Sequence, residues 1–288
     1  MGTPIRINAS EISETVSRLC QDANFNLGSD VVNALALASE KEASPVAKEI
    51  LSELLENSRI AHENKMPLCQ DTGVAIVFLE VGENVEIAGG RLHDAVNAGV
   101  RKGYKEGFLR KSIVADPLTR VNTNDNTPAI IHTEFVPNNH LKITFMAKGG
   151  GCENMSRIAM LTPAEGREGV VHFVVETVEK AKANPCPPII VGVGIGGTFD
   201  YAALLAKKAL LRQVGSENKN PETAQLEKEL LYKINHLGIG AQGLGGMITT
   251  LAVHVESHPC HIASLPVAVN IDCHSHRVKI AILGSKRL

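Results

Sequence analysis

The sequence predicts an α/β fold of the mixed, α+β kind: mixed β-sheets flanked by helices, with a helical N-terminal part. Two observations carry this. Apolar residues recur at helical spacing through the first sixty residues, and from Val74 onward short apolar runs alternate with longer amphipathic ones. The 288 residues, 44% hydrophobic, are enough for one large core or two modest ones. No repeat or low-complexity linker marks a boundary. The reading is one domain over residues 1–288, mainly helical over 1–65 and mixed-sheet over 66–288.

In order along the chain, Asn8 with Glu11 forms a capping-box pattern, and Ile12, Val16 and Leu19 then share a helical face. Cys20 follows as a small apolar filler. Ser44-Pro45 reads as an N-cap with a first-turn proline, followed by Val46, Ile50 and Leu54. "VAIVFLEVG" from Val74 reads as a strand and "GGRLHDAVNAGVRKGYKEG" as a helix between glycines. "TPAIIHTEFV" and "HLKITFMA" are strands about a turn-like "PNN". "EGVVHFVVETVEKAKA" is helical, and "PPIIVGVGIGG" is a buried strand entering a glycine turn. Two more helices follow, the second opened by Pro221 and closed by Gly238. The tail supplies strands in "ITTLAVHVES", "LPVAVNI" and "RVKIAIL".

Composition excludes several function classes. The formal charge is -2 with both signs interspersed, no long basic run appears, aromatics are 3% and Trp is absent, so stacking platforms for nucleic acid are scarce and nucleic-acid binding is not expected. No apolar run reaches membrane-spanning length and the first residues lack a signal-type apolar core, so the expectation is a cytoplasmic protein with no membrane partner. The six cysteines, Cys20, Cys69, Cys152, Cys186, Cys260 and Cys273, are then read as reduced thiols and not as disulfide staples.

Three segments break the local rules, and each holds a cysteine: "PLCQDTG" (Cys69), "NPCPP" (Cys186) and "NIDCHSHR" (Cys273). All three adjoin apolar strands, where loops bring distant groups together. The cysteines lie 117 and 87 residues apart, and no C-x2-4-C zinc pair occurs. They are either buried inert thiols or metal ligands that meet in the fold. Three thiolates on a [4Fe–4S] cube would leave one iron open to bind substrate oxygens as a Lewis acid. The glycine run in "KGGGCENMSR" suits backbone approach to an anion, or else a flexible turn. "GVGIGG" matches a dinucleotide fingerprint, but the strand ending in an acid about 20 residues on is missing, which disfavours an NAD-binding enzyme.

Taken together, "PLCQDTG", "NTPAIIH", "KGGGCEN", "NPCPPIIVGVGIGGT", "LEKELL…LGIGAQGLGG" and "PVAVNIDCHSHR" resemble the class I, iron–sulfur-dependent fumarate hydratases and the α subunit of L(+)-tartrate dehydratase. The resemblance runs from about Ala36 onward. It implies a reversible hydro-lyase acting on a small dicarboxylate, with a [4Fe–4S] cluster of three Cys ligands and one open iron. By position the ligands are Cys69, Cys186 and Cys273. Gln70 and Asp71 match the family's active-site pair, Asp71 as an acid/base participant. Arg110 matches the arginine that grips a substrate carboxylate, His261 the histidine of an "H-x-A-S" segment, and Gly149, Gly150, Gly151, Cys152 and Asn154 the substrate loop.

Departures from the pattern are also informative. Single-chain relatives read "GGGSANK" where this sequence reads "GGGCENM", which makes Cys152 a loop residue in place of a serine. Those relatives also continue into a β domain, so the expectation is an α subunit with a β partner, in an α2β2-type assembly. Fumarate hydration is favoured on "LRKSIVADPLTRVNTNDNTPAIIH", with L(+)-tartrate dehydration as the alternative. A non-catalytic iron–sulfur sensor is disfavoured, because a sensor has no need of Gln70, Asp71 and Arg110.

Overall fold

The computed structural model describes residues 4–284. Its strands are β1 (Ile5–Asn8), β2 (Val74–Gly82), β3 (Val85–Ala88), β4 (Ile130–Val136), β5 (Leu141–Lys148), β6 (Arg157–Leu161), β7 (Ile189–Gly196), β8 (Thr250–His258), β9 (Leu265–Asp272) and β10 (Val278–Leu283). Its α-helices are α1 (Ala9–Phe25), α2 (Ser29–Lys41), α3 (Pro45–Asn64), α4 (Leu92–Glu106), α5 (Gly150–Glu153), α6 (Gly166–Ala181), α7 (Phe199–Ala209) and α8 (Pro221–Asn235). The α/β class and the helical N-terminal part are as the sequence predicts. The described residues group into two compact units, 4–27 with 60–149 and 277–284, and 28–59 with 150–276.

The first unit is built on a sheet in the order β10-β5-β2-β4. β2 is central and nearly continuous in apolar residues because it is covered on both faces. It pairs antiparallel with β5 and parallel with β4. The core sets Ile12, Val16 and Cys20 of α1 with Val96, Val100 and Tyr104 of α4 and with Val77 and Leu79 of β2. Burial drives the Cys20 thiol pKa well up, so it is an inert filler here. Asn8 occupies the N-cap of α1, but its side chain makes no capping bond, so the predicted box is not formed. The four residues before the helix instead form β1, which pairs parallel with β3. Both strands are too short for hydrophobic periodicity to have marked them.

The second unit carries a sheet in the order β6-β9-β7-β8. β7 runs parallel to β8 and antiparallel to β9. Here the "GVGIGG" run finds its structural reason. A Cβ on Gly192 would stand 2.2 Å from the Ala206 carbonyl oxygen, and one on Gly194 would stand 2.1 Å from that of Ala202. The glycines let α7 lie directly on β7, and a nucleotide is not needed to explain them. At the start of α8 the Asn220 side chain accepts from Glu222 N and Thr223 N at 2.9 and 3.3 Å, and Pro221 fills the first turn.

A second anchoring device in this unit is Glu42, buried after α2. Its carboxylate accepts from Ala43 N and Ser44 N on one side and from Met247 N and Ile248 N on the other, at 2.8–3.1 Å. Burial opposes its ionisation, yet these four N–H groups hold its pKa below the usual carboxylate value. The segment leading into β8 is thereby pinned to the α2–α3 connection.

Candidate active site

Sheet register decides where the chemistry of each unit lies. In the first unit Val74 at the start of β2 pairs with Lys148 at the end of β5, and Val278 at the start of β10 pairs with Met146. The loop before β2, the glycine after β5 and the residue before β10 therefore meet at one sheet edge. These are Cys69 to Gly73, Gly149 and Arg277. Asp71 Oδ1 accepts from Gly73 N at 3.0 Å, an Asx turn that fixes the carboxylate. A Cβ on Gly149 would stand 3.4 Å from both Asp71 Oδ2 and Arg277 Nη2, so a side chain there would crowd both groups.

Arg277 is 2% exposed and donates from Nη1 to the Asp71 carbonyl at 2.6 Å and to Asn24 Oδ1 at 3.1 Å. The loop is clamped from other directions too. Tyr104 OH lies 2.7 Å from Thr72 O and 3.0 Å from Gly73 O, and Asn126 Nδ2 donates to Gly73 O at 3.2 Å. Burial pushes the Tyr104 pKa far up, so the hydroxyl stays a donor. Thr72 Oγ1 donates to the Arg110 carbonyl at 3.0 Å, which ties the backbone of Arg110 to the same loop while its side chain stays exposed. Cys69 donates to Gln70 Oε1 at 3.3 Å.

In the second unit the start of β7 and the end of β9 share an edge, since Ile190 pairs with Asp272, and β8 starts there because Ile189 pairs with Thr250. Cys186 precedes β7, Gln242 precedes β8 and Cys273 follows β9, so the three loops meet. Gln242 donates from its backbone N and from Nε2 to Pro187 O, each at 2.8 Å. His274 Nδ1 lies 3.0 Å from the Cys186 carbonyl and 3.2 Å from Gln242 Nε2. Cys186 is an exposed thiol at φ 55, a left-handed conformation uncommon for a residue with a Cβ. The thiol loops are therefore tied to each other through one imidazole and one amide.

The glycine loop reaches the same place in this unit. Cys152 donates to Pro185 O at 3.5 Å, and a Cβ on Gly151 would stand 3.4 Å from Asn184 O. Cys152 Sγ, Cys273 Sγ and an Asp272 carboxylate oxygen all lie within 4.8 Å of one another and are buried. Asp272 Oδ2 takes a 2.6 Å hydrogen bond from His276 Nδ1, and Cys273 Sγ sits 3.1 Å from Ser275 Oγ. Soft thiol donors with an oriented carboxylate can hold a thiophilic metal or an iron–sulfur group.

Within the first unit, Cys69, Gln70, Asp71, Arg110 and Gly149 fall together at one edge. Within the second, Gly150, Gly151, Cys152, Asn154, Cys186 and Cys273 do so. His261 does not. It precedes β9, whereas Cys273 follows it, and eight strand residues span about 25 Å. His261 instead lines a separate cleft of about 520 Å³ with Arg167, Glu222, Cys260 and Ile262. Arg277, Asp272, His276 and Gln242 were not singled out from the sequence. The sequence signal for the first three is the polar run after an apolar strand in "NIDCHSHR", and for Gln242 the glycine-rich "LGIGAQGLGG".

Comparison with known proteins shows the chain's family. The chain is 48% identical over 275 residues to a Methanocaldococcus jannaschii protein provisionally named L(+)-tartrate dehydratase subunit alpha, covering 93% of this chain and 95% of that one. It is 35% identical over 272 residues to the L(+)-tartrate dehydratase subunit alpha of Escherichia coli K12, covering 93% and 89%. Residues 13–281 match the family described as Fumarate hydratase (Fumerase), and the chain belongs to that family.

Proposed function

We propose that this chain is the α subunit of a two-chain hydro-lyase that dehydrates L(+)-tartrate to oxaloacetate, with a [4Fe–4S] cluster on Cys69, Cys186 and Cys273. Family membership supports hydro-lyase chemistry, and the relatives' names favour tartrate over the fumarate expected from the sequence. Those names also support a separate β subunit. We extend this to an α2β2-type assembly. The observation that carries the reading is the joining of the Cys186 and Cys273 loops through Gln242 and His274, which holds two thiols at one sheet edge.

The donor set fits: thiols are the ordinary ligands of iron–sulfur clusters, and three of them leave one iron open. When bound, such a cluster supplies a Lewis-acid iron that makes a substrate hydroxyl a better leaving group. Arg110 grips one substrate carboxylate through its planar guanidinium, on a backbone anchored by Thr72. Asp71 moves a proton, its carboxylate held by Gly73 N with Arg277 close by. Gln70 orients the substrate beside it. N–H groups of the loop formed by Gly149, Gly150, Gly151, Cys152 and Asn154 stabilise charge on the second carboxylate. His261, at the far end of β9, takes no step at the cluster.

Fumarate hydration to malate is the second reading, supported by the family's description and the "LRKSIVADPLTRVNTNDNTPAIIH" segment. No helix among the described residues is long and apolar enough to cross a membrane. The test is anaerobic reconstitution of the chain, alone and with its β partner, with both substrates assayed and iron measured on the same samples. A brown chain that turns over tartrate only with β present supports the main reading. Turnover of fumarate alone selects the second. A chain that takes up no iron under these conditions removes both.

A further inference from the structure

Cys152 is a thiol where the resembling single-chain enzymes carry a serine, and the fold sets it against Cys273 and Asp272. We infer that Cys152, Asp272 and Cys273 form a binding site for one thiophilic divalent cation, zinc or ferrous iron, which shares only Cys273 with the ligands proposed for the cluster. The three donor atoms lie within 4.8 Å of one another. Two thiolates on one tetrahedral ion, with metal–sulfur bonds of about 2.3 Å, stand about 3.8 Å apart. Thiolates serving different irons of a cube stand further apart, so this spacing suits a single ion better.

The surroundings are those of a metal site. All three residues are buried, Cys152 at 4%, Asp272 at 1% and Cys273 at 7% exposure. Each donor is oriented by a neighbour: Cys152 by Pro185 O, Cys273 by Ser275 Oγ, and Asp272 by His276 Nδ1 on Oδ2. Two thiolates with one carboxylate suit zinc or ferrous iron over calcium or magnesium. Binding replaces both thiol protons with the metal and releases them, and three protein ligands leave a fourth position for water. An ion seated here takes Cys273 and so excludes the cluster.

The test uses the full chain, reduced, anaerobic and free of iron, titrated with Co²⁺ as a spectroscopic stand-in for zinc. One equivalent should bring up intense tetrahedral d–d bands and a near-ultraviolet thiolate-to-cobalt transition. Cys152→Ser should weaken binding at least tenfold and halve that transition, whereas Cys260→Ser, at the opposite end of β9, should change neither. X-ray absorption on the zinc-loaded wild-type chain needs no variant and should count two sulfurs, with oxygen or nitrogen completing the shell. Zinc loading should also block cluster uptake in the wild type but not in Cys152→Ser. Octahedral cobalt, three or more sulfurs, or a Cys152→Ser spectrum equal to wild type would overturn the inference. None of these readouts requires turnover, so a chain inactive on both substrates still decides it.

Discussion

The two sheet edges gather different side-chain chemistry. In the first unit the edge gathers Asp71, Arg110 and the buried Arg277, groups suited to binding carboxylates and moving protons. In the second it gathers Cys152, Cys186 and Cys273, soft donors suited to a metal, beside loops secured by amide and imidazole contacts. The two edges are nevertheless made alike, each from a strand start, a neighbouring strand end and a glycine or proline loop. The difference lies in the side chains presented, which implies that metal loading and proton chemistry are separable by mutation.

The largest effect should come from the second unit. Cys273→Ser removes a proposed cluster ligand, and the reconstituted enzyme should lose its brown absorbance, its iron and all measurable turnover. Cys260→Ser should keep all three. If Cys273→Ser retains full iron, the thiol edge is not the metal edge and the contrast between the units fails.

Next comes the first unit. Asp71→Asn keeps the shape of the Asx turn but removes the exchangeable proton and the charge. With general acid–base catalysis worth about 10²–10⁴-fold, kcat should fall by that much while iron content stays at the wild-type level. Loss of iron in this variant would assign Asp71 a structural role. Steady-state kinetics and iron analysis on the same preparation separate these outcomes.

How far the sequence foretold this contrast can be judged residue by residue. Long elements such as β2, α4 and α8 announced themselves through apolar period and end signals, because burial of a whole face leaves a pattern. β6, at five residues, has no such face and was missed. Asp71 and Cys273 stood out because polar groups adjoined apolar strands, but Arg277, four residues past Cys273, read only as the first residue of the strand "RVKIAIL". Its burial follows from its pairing with Asn24 and with Asp71's backbone, contacts between residues far apart in sequence that no local pattern encodes. The same holds for Cys152 beside Cys273. A serine-to-cysteine departure was visible, but its neighbour was not.

Arg277 gives the third test. Truncation to Met keeps much of the apolar stem but leaves Asn24 Oδ1 and the Asp71 carbonyl without their donor in a buried place. Losing one partner of a buried charged arrangement costs about 3–5 kcal/mol, with the lower end fitting neutral acceptors. The urea midpoint of the iron-free chain should fall accordingly, with amide exchange rising first around Asp71 to Gly73. A shift below about 1 kcal/mol would mean that Arg277 sits beside Asp71 for chemistry and not for folding.

The smallest effect concerns a buried histidine on the other side of the comparison. His254 in β8 is 1% exposed, and burial, reinforced by the positive charge of Arg212, lowers its pKa from 6.5 to about 4. The native state therefore prefers the ring neutral, whereas the unfolded chain protonates it near pH 6.5. The unfolded state binds the extra proton between those values, so stability from this group is complete above about pH 6.5 and is lost as pH falls towards 4. The loss approaches about 3 kcal/mol at the acid end, since each pKa unit is worth about 1.4 kcal/mol. His254→Leu should flatten the fall in Tm between pH 6.5 and 4.5 and leave Tm at pH 7.5 within a few degrees of wild type. Amide exchange at pH 5 should show β8 of the wild type loosening before the first-unit sheet does. An unchanged acid slope in His254→Leu would place the acid sensitivity elsewhere. It would then leave the second unit without a group of its own in the acid response.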